Sequence, residues 1–328
     1  MKLSQEQQTI VAHEGSCTVL GAPGTGKTTT LIEKATHLIE KGVPPQKIFI
    51  VCFSYRSMLV MEELLKKRFG KDGGQIPVAT MRDFALQAMQ KQDENFPELI
   101  DNTTVRRLLR RAMRDAGFDG TVQEAEHVMR QFKARGRKPA EGEAHYELFR
   151  VYKDMLENLN KIDRFDVVRK HIIGMRNDVY QPADVQALLV DNVQDATQIQ
   201  LLWLVDHMKA GSRMYAFGDD DLCLFSMDGA LGKEAFTDLE DLNDMPRLLL
   251  EQNFRSAKLL GQATGAVSKR LNNRLTKKAT AMSEAQGVLE AYPSQNVDME
   301  LQALVKRVKS TLEREPKASI GIITRHHL

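Results

Sequence analysis

The chain is short of several things, and each shortage closes off a class of protein. Its 328 residues hold three cysteines, ten prolines and one tryptophan. Cys17, Cys52 and Cys223 are odd in number and widely spaced, which makes neither a disulfide framework nor a zinc pattern. They read as core thiols in a reducing compartment. No apolar run approaches the roughly 18 residues that span a bilayer, and the opening MKLSQEQQTIVAHEG lacks the apolar stretch of a signal peptide. The expectation is a cytoplasmic protein with no membrane partner. Repeats and low-complexity tracts are missing too. A net charge of +2 gives no global attraction to a polyanion, so any nucleic-acid role must rest on where charges sit.

What is present is an ordinary globular composition, 42% apolar and 27% charged, in a chain too long for one core. Short apolar runs alternate with helical patterns: CTVL (17–20), KIFIVCF (47–53), IPVAT (76–80), ALLVDN (187–192), RMYAFG (213–218) and RLLLEQN (247–253). Most are apolar on both faces, as strands of a helix-covered parallel sheet must be. Between about 85 and 181 the strand signal gives way to charged helical pattern, then resumes. The fold class expected is α/β, a parallel sheet interrupted by an inserted helical block. Beyond about 285, GVLEAYPS, a helix over MELQALVKRVKSTLERE and the run ASIGIITR predict the strand, helix and strand that begin another domain.

The segment GAPGTGKT fits the phosphate-binding pattern G-x-x-x-x-G-K-[ST], set between a predicted strand and helix. Here Gly21, Ala22, Pro23, Gly24, Thr25 and Gly26 would turn backbone N–H groups toward phosphates, with Thr29 just beyond on the helix. Lys27 would meet the β- and γ-phosphates and Thr28 would ligate Mg2+. Asp191, at the tip of ALLVD, suits the second magnesium position. The cofactors expected are ATP and Mg2+; the plainer alternative is a glycine-rich turn.

Taken with that loop, the order of segments resembles the UvrD/Rep/PcrA group of superfamily 1 DNA helicases. LSQEQQTIV is similar to their adenine-reading motif, with Gln7 at the glutamine position. VCFSYRSMLVM resembles motif Ia, VATMRDFA motif Ib, LLVDNVQDATQIQ motif II, AFGDDDLCLFSMDGA motif III and LLLEQNFRS motif IV, followed by NNRLTKK. The resemblance implies a RecA-like P-loop NTPase subdomain 1A over 1–85 and 182–285, a helical subdomain 1B over 86–181, and an incomplete start of subdomain 2A over 286–328. It also implies Arg255 as a nucleotide-contacting arginine.

The departures are as specific as the matches. Asn192 stands where the family carries the glutamate that takes a proton from water. Leu222 replaces the motif III glutamine that contacts the γ-phosphate, and Asp228 replaces an arginine. Tyr55 and Arg56 replace Asn-Lys; Met81, Arg82 and Asp83 replace Phe-His-Ser. Residues expected to hold nucleotide remain while those expected to turn it over are altered. The expectation is therefore a pseudo-helicase that binds ATP-Mg and acts with a partner or a further C-terminal region. The alternative is an active 3′–5′ helicase or translocase in full-length form, with Asp195 or Asp220 as a recruited carboxylate.

The nucleic acid expected is single-stranded or junction DNA. The resemblance places a strand over motifs Ia and Ib, at Phe53, Ser54, Tyr55, Arg56, Thr80 and Arg82, where aromatic faces and cations suit stacking and phosphate. Arg107, Arg110, Arg111 and Arg114 share a helical face with Arg106 beside them, and Lys133, Arg135, Arg137 and Lys138 form a second basic cluster. Both read as candidate phosphate contacts.

Overall fold

The computed structural model describes residues 2–324, with the backbone alone at 71–73. The six apolar runs become six strands: β1 Cys17–Gly21, β2 Ile48–Cys52, β3 Val78–Thr80, β4 Ala187–Asp191, β5 Arg213–Gly218 and β6 Arg247–Leu250. They form one sheet in the order β3-β2-β4-β5-β1-β6, with every pairing parallel. Successive strand residues point to opposite faces. Ala187 and Leu189 of β4 pack with Tyr215 and Phe217 in one apolar cluster, Leu188 and Val190 with Met214 and Ala216 in the other.

Parallel strands require crossovers, and helices supply them. Helices α1 Gln5–Ala12, α2 Lys27–Glu40 and α3 Tyr55–Phe69 cover the first face through Ile10, Leu31, Leu38, Met61 and Leu65. Helix α4 Met81–Gln92 starts the second face and leads into an insertion of three helices, α5 Asn102–Asp115, α6 Val122–Ala134 and α7 Tyr146–Asn158. These three have a core of their own between Ile100 and Leu156. A parallel pairing of Glu98–Leu99 with Lys161–Ile162 ties its entry to its exit. Helices α8 Val167–Arg176, α9 Gln198–Lys209 and α10 Lys233–Asn243 complete the second face; α8 gives Val168 and Ile172 to the sheet's cluster, not to the insertion's.

Helix α5 shows why the insertion folds as it does. Asp101 caps it by accepting the Thr104 N–H at 2.7 Å. Val105, Leu108, Leu109 and Ala112 fall at i, i+3, i+4 and i+7 and are buried, which leaves the arginines on the outer face.

Two expectations are corrected. Lys133 is no phosphate contact: it is buried, donates to Asp163 at 2.6 Å and to Asp166, and stands 5.0 Å from the Tyr152 ring. Burial pulls its pKa down, but the two carboxylates outweigh that and leave it raised. Beyond 285 the helix forms, as α12 Val297–Arg314, with α11 Lys258–Ser268 before it. The strands expected on either side of it are missing among the described residues, and no residue from 286 to 324 is buried. A strand needs a neighbour to take its N–H and C=O groups, and the sheet offers none there. Arg325, the last residue of ASIGIITR, lies outside the described residues. Among those residues no helix is long and apolar enough to cross a membrane.

Candidate functional site

The carboxyl ends of β1, β4 and β5 lie side by side, since Leu20 registers with Gly218 and Asp191 with Phe217. Ligands of open parallel sheets bind at such ends. The loop after β1 turns back into the amino end of α2, with Gly24 at φ 82° and Gly26 at φ 86°. Both are in the left-handed region that favours glycine. A Cβ on Gly24 would stand 2.5 Å from Asn253 Oδ1, and one on Gly26 2.5 Å from Gln7 Nε2.

Those two neighbours hold the loop. Buried Asn253 donates through Nδ2 to Pro23 O at 2.9 Å, and its Oδ1 accepts the N–H groups of Arg255 and Ser256, each at 2.9 Å. Gln7, also buried, donates to Thr25 O at 3.4 Å and accepts the Ser4 N–H at 3.0 Å, so its amide already has partners within the chain. Thr25 turns its hydroxyl to Ala22 O at 2.8 Å. Thr28 and Thr29 are half-buried, and Arg255 is exposed beside Gly24.

Lys27 curls over this loop and donates to Gly21 O at 2.7 Å and Ala22 O at 3.1 Å. Burial lowers its pKa, while Asp219 and Asp191 act in the other direction. Asp191 is itself raised to about 6 by burial, which Lys27 only partly offsets. Asp219, fully buried at the end of β5, is raised for the same reason and has one carboxylate oxygen, Oδ2, without a partner. Lys27 thus faces two desolvated carboxylates at a loop rich in N–H groups, and it is the carboxylates that are under-neutralised. The donor set fits a triphosphate with a divalent cation: Lys27 has carbonyls it can exchange for phosphate, and Asp191 lacks the charge a magnesium ion would bring.

Beside it, Asp219, Asp220 and Asp221 all meet Lys277, with Asp219 at 2.8 Å and Asp221 at 2.9 Å. Arg274 adds a two-pronged pair with Asp221 at 2.8 and 2.7 Å, and the Leu275 N–H donates to Asp220 at 2.6 Å. Asp220 is thus committed to the chain. Asp195 differs: it is half-buried, its Oδ1 has no partner, and burial followed by Asp191 pushes it up to about 6. Asn192 follows β4 at φ 62° and ψ 54°, a conformation asparagine tolerates better than most side chains. Leu222 is 38% exposed on a short turn.

On the far side of β4 a cleft of about 440 Å3 opens between the ends of β2 and β3 and the helical insertion. Phe53, Ser54, Tyr55, Thr80 and Arg82 line it, so the structure brings those expected residues together. Ser54 caps α3 and Thr80 caps α4. Tyr55 is 63% exposed, whereas Phe53 is half-buried against the sheet's core. Arg56 is exposed but does not line the cleft, and neither do Arg107, Arg110, Arg111 and Arg114. The sequence pattern did not single out Arg130, Arg164 and Phe165, which also line it. They lack a run or motif and meet only through folding. Asn253, Arg274 and Lys277 stood inside recognised segments, but nothing in the spacing gave them partners.

The sheet, the loop at the end of β1 and the paired acids define a RecA-like, P-loop class of fold. The chain belongs to the UvrD/REP helicase N-terminal domain family, which it matches over residues 3–244. It is 23% identical to ATP-dependent DNA helicase PcrA of Leuconostoc citreum, over 96% of this chain and 45% of that protein. It is 22% identical to DNA helicase II of Escherichia coli (strain K12), over 93% of this chain and 45% of that protein. With ATP-dependent DNA helicase Rep of Salmonella typhimurium (strain LT2) it shares 26%, over 78% and 42%. The chain thus spans less than half the length of these relatives.

Proposed function

We propose that this chain is the ATP-binding region of a UvrD/Rep-like protein that holds ATP-Mg and single-stranded DNA and hydrolyses ATP poorly. The observation that carries the reading is the convergence of Lys27, Asp191 and Asp219 at a preformed loop, with Asn192 rather than a carboxylate following Asp191. In this reading Lys27 leaves the Gly21 and Ala22 carbonyls for phosphate oxygens, and Thr28 with Asp191 holds the metal. Arg255 stands over the loop. ATP-Mg, when bound, supplies the phosphoanhydride and the cation that screens it. The Asn192 amide can orient a water but accepts no proton, a loss of about 10²–10⁴ in rate. The strand lies in the cleft at Phe53, Tyr55 and Arg82. Residues 1–85 and 182–285 serve as subdomain 1A, 86–181 as subdomain 1B and 286–328 as the start of 2A.

The test is nucleotide binding by calorimetry with magnesium, beside an ATPase assay with and without oligo-dT. Binding is expected in the wild type and lost by at least about tenfold in Lys27→Ala, with little turnover under either condition. Asn192→Glu combined with Leu222→Gln is expected to raise turnover. No nucleotide binding at all would overturn the reading.

One observation favours a second reading, an active 3′–5′ helicase or translocase in full-length form. Asp195 has a free carboxylate oxygen and a pKa near 6, suited to accepting a proton. DNA-stimulated hydrolysis that vanishes in Asp195→Asn would favour it.

A further inference from the structure

The cleft beside β2 and β3 carries an ion pair that crosses it. Arg130, on α6 of the insertion, pairs with Asp228, on the short turn Ser226–Asp228 of the sheet domain. Next to it Gln131 donates to Met227 O. Gly229, at φ 93°, packs so close that a Cβ there would stand 2.8 Å from the Ala134 Cβ. The insertion is thereby fastened to the turn along one turn of α6.

The rest of Arg130's surroundings would welcome an anion. Its guanidinium stands 5.5 Å from the Phe165 ring centroid, and that of Arg164 stands 4.6 Å from the same ring. The ring thus carries two cations, with Arg82 lining the same cleft. Glu126, at the base, is shared by Arg130 at 3.6 Å, Arg164 at 3.3 Å and Arg106 at 3.4 Å, so one carboxylate serves three guanidinium groups. Arg130 Nε is buried and has no partner. Among the described residues, only Asp228 gives the outward edge of Arg130 an anion of its own.

We infer that Asp228 is a tethered stand-in for a strand phosphate: it occupies Arg130 and holds the cleft closed to polyanions until a strand displaces it. The inference rests on the proposed strand binding and adds to it a device that weakens that binding. A phosphate reaches Arg130 only by breaking the ion pair with Asp228, so affinity is lower and salt dependence shallower than the arginines alone would give. The position at which the family resemblance implies an arginine carries the opposite charge here, which fits a cleft restrained rather than merely weakened.

The test uses the full chain and fluorescein-labelled oligo-dT, with anisotropy measured across a salt series. Asp228→Asn keeps the side chain's shape and is expected to bind about tenfold more tightly, with a salt slope steeper by about 0.7, the value of one further neutralised phosphate on single strands. Glu40→Gln removes an exposed carboxylate at the end of α2, outside the cleft, and is expected to change nothing. Equal binding by wild type and Asp228→Asn would overturn the inference while leaving strand binding intact. The same tightening in Glu40→Gln would also overturn it, because net charge would then be the cause. Binding by Asp228→Asn alone supports it. No binding by any folded variant removes strand binding itself, and the inference with it.

Discussion

Asn192 carries two kinds of information at one position. Its chemistry lacks a base, and its backbone occupies the left-handed region at φ 62°. Only glycine enters that region freely, and other L-residues lose about 1–2 kcal/mol there, asparagine least among the side chains of its size. Asn192→Gly should therefore leave stability within about 0.5 kcal/mol of wild type, whereas Asn192→Glu should lower it by about 1 kcal/mol in urea unfolding. If Asn192→Glu proves as stable as Asn192→Gly, the turn does not discriminate and the asparagine is there for another reason. Leu222, exposed and without a core contact, should accept glutamine with a change under about 0.5 kcal/mol. The two substitutions meant to restore turnover thus differ in their structural cost.

Elements are joined by buried polar contacts, and these set the response to acid and to truncation of a side chain. Between α8 and α9, His171 Nδ1 accepts the Trp203 indole N–H at 2.8 Å, and its Nε2 has no partner. Burial, with His207 beside it, holds His171 down to about 4. Since an unfolded histidine titrates near 6.5, the unfolded chain binds the extra proton between those values. Stability is therefore full above 6.5 and is lost as pH falls toward 4, by about 2 kcal/mol at pH 5 from this group. His171→Gln keeps an acceptor for Trp203 and should flatten that acid limb in urea midpoints; an unchanged limb would assign it elsewhere. Lys277 joins the segment after α11 to the acids after β5. Lys277→Met leaves Asp219 and Asp220 without their cation, while Asp221 keeps Arg274, and should cost about 3–5 kcal/mol, measured in the same way. Such contacts explain what the sequence does and does not display. A strand buried on both faces is written locally, as in ALLVD, so all six sheet strands could be read from their apolar runs. Lys133 looked basic and solvated because Asp163 and Asp166 lie some thirty positions away, and only the packing of α6 against that turn brings them together. The cleft was half legible for the same reason: Tyr55 and Arg82 follow strands directly, whereas Arg130 and Arg164 arrive from the insertion.

At the scale of the whole molecule, order is uneven. The sheet carries two apolar clusters and the insertion a third, but among the described residues α12 has no partner layer. Val297, Leu301, Leu304, Val305 and Leu312 recur at helical spacing along it and all are exposed. A buried leucine or valine contributes about 1.5–3 kcal/mol, and side chains this exposed realise only part of it. An isolated helix of 18 residues is only marginally stable in water. Amide exchange in α12 should therefore be fast, while β4, buried throughout, and β5, buried from Met214 on, exchange only through global opening. Removing residues 288–328 should leave the unfolding free energy within about 1 kcal/mol and should reduce binding of a hydrophobic dye such as ANS. A large loss of stability on that deletion, or slow exchange throughout α12, would mean that its apolar face is covered in solution, and that the segment after 286 belongs to the energetics of the sheet domain.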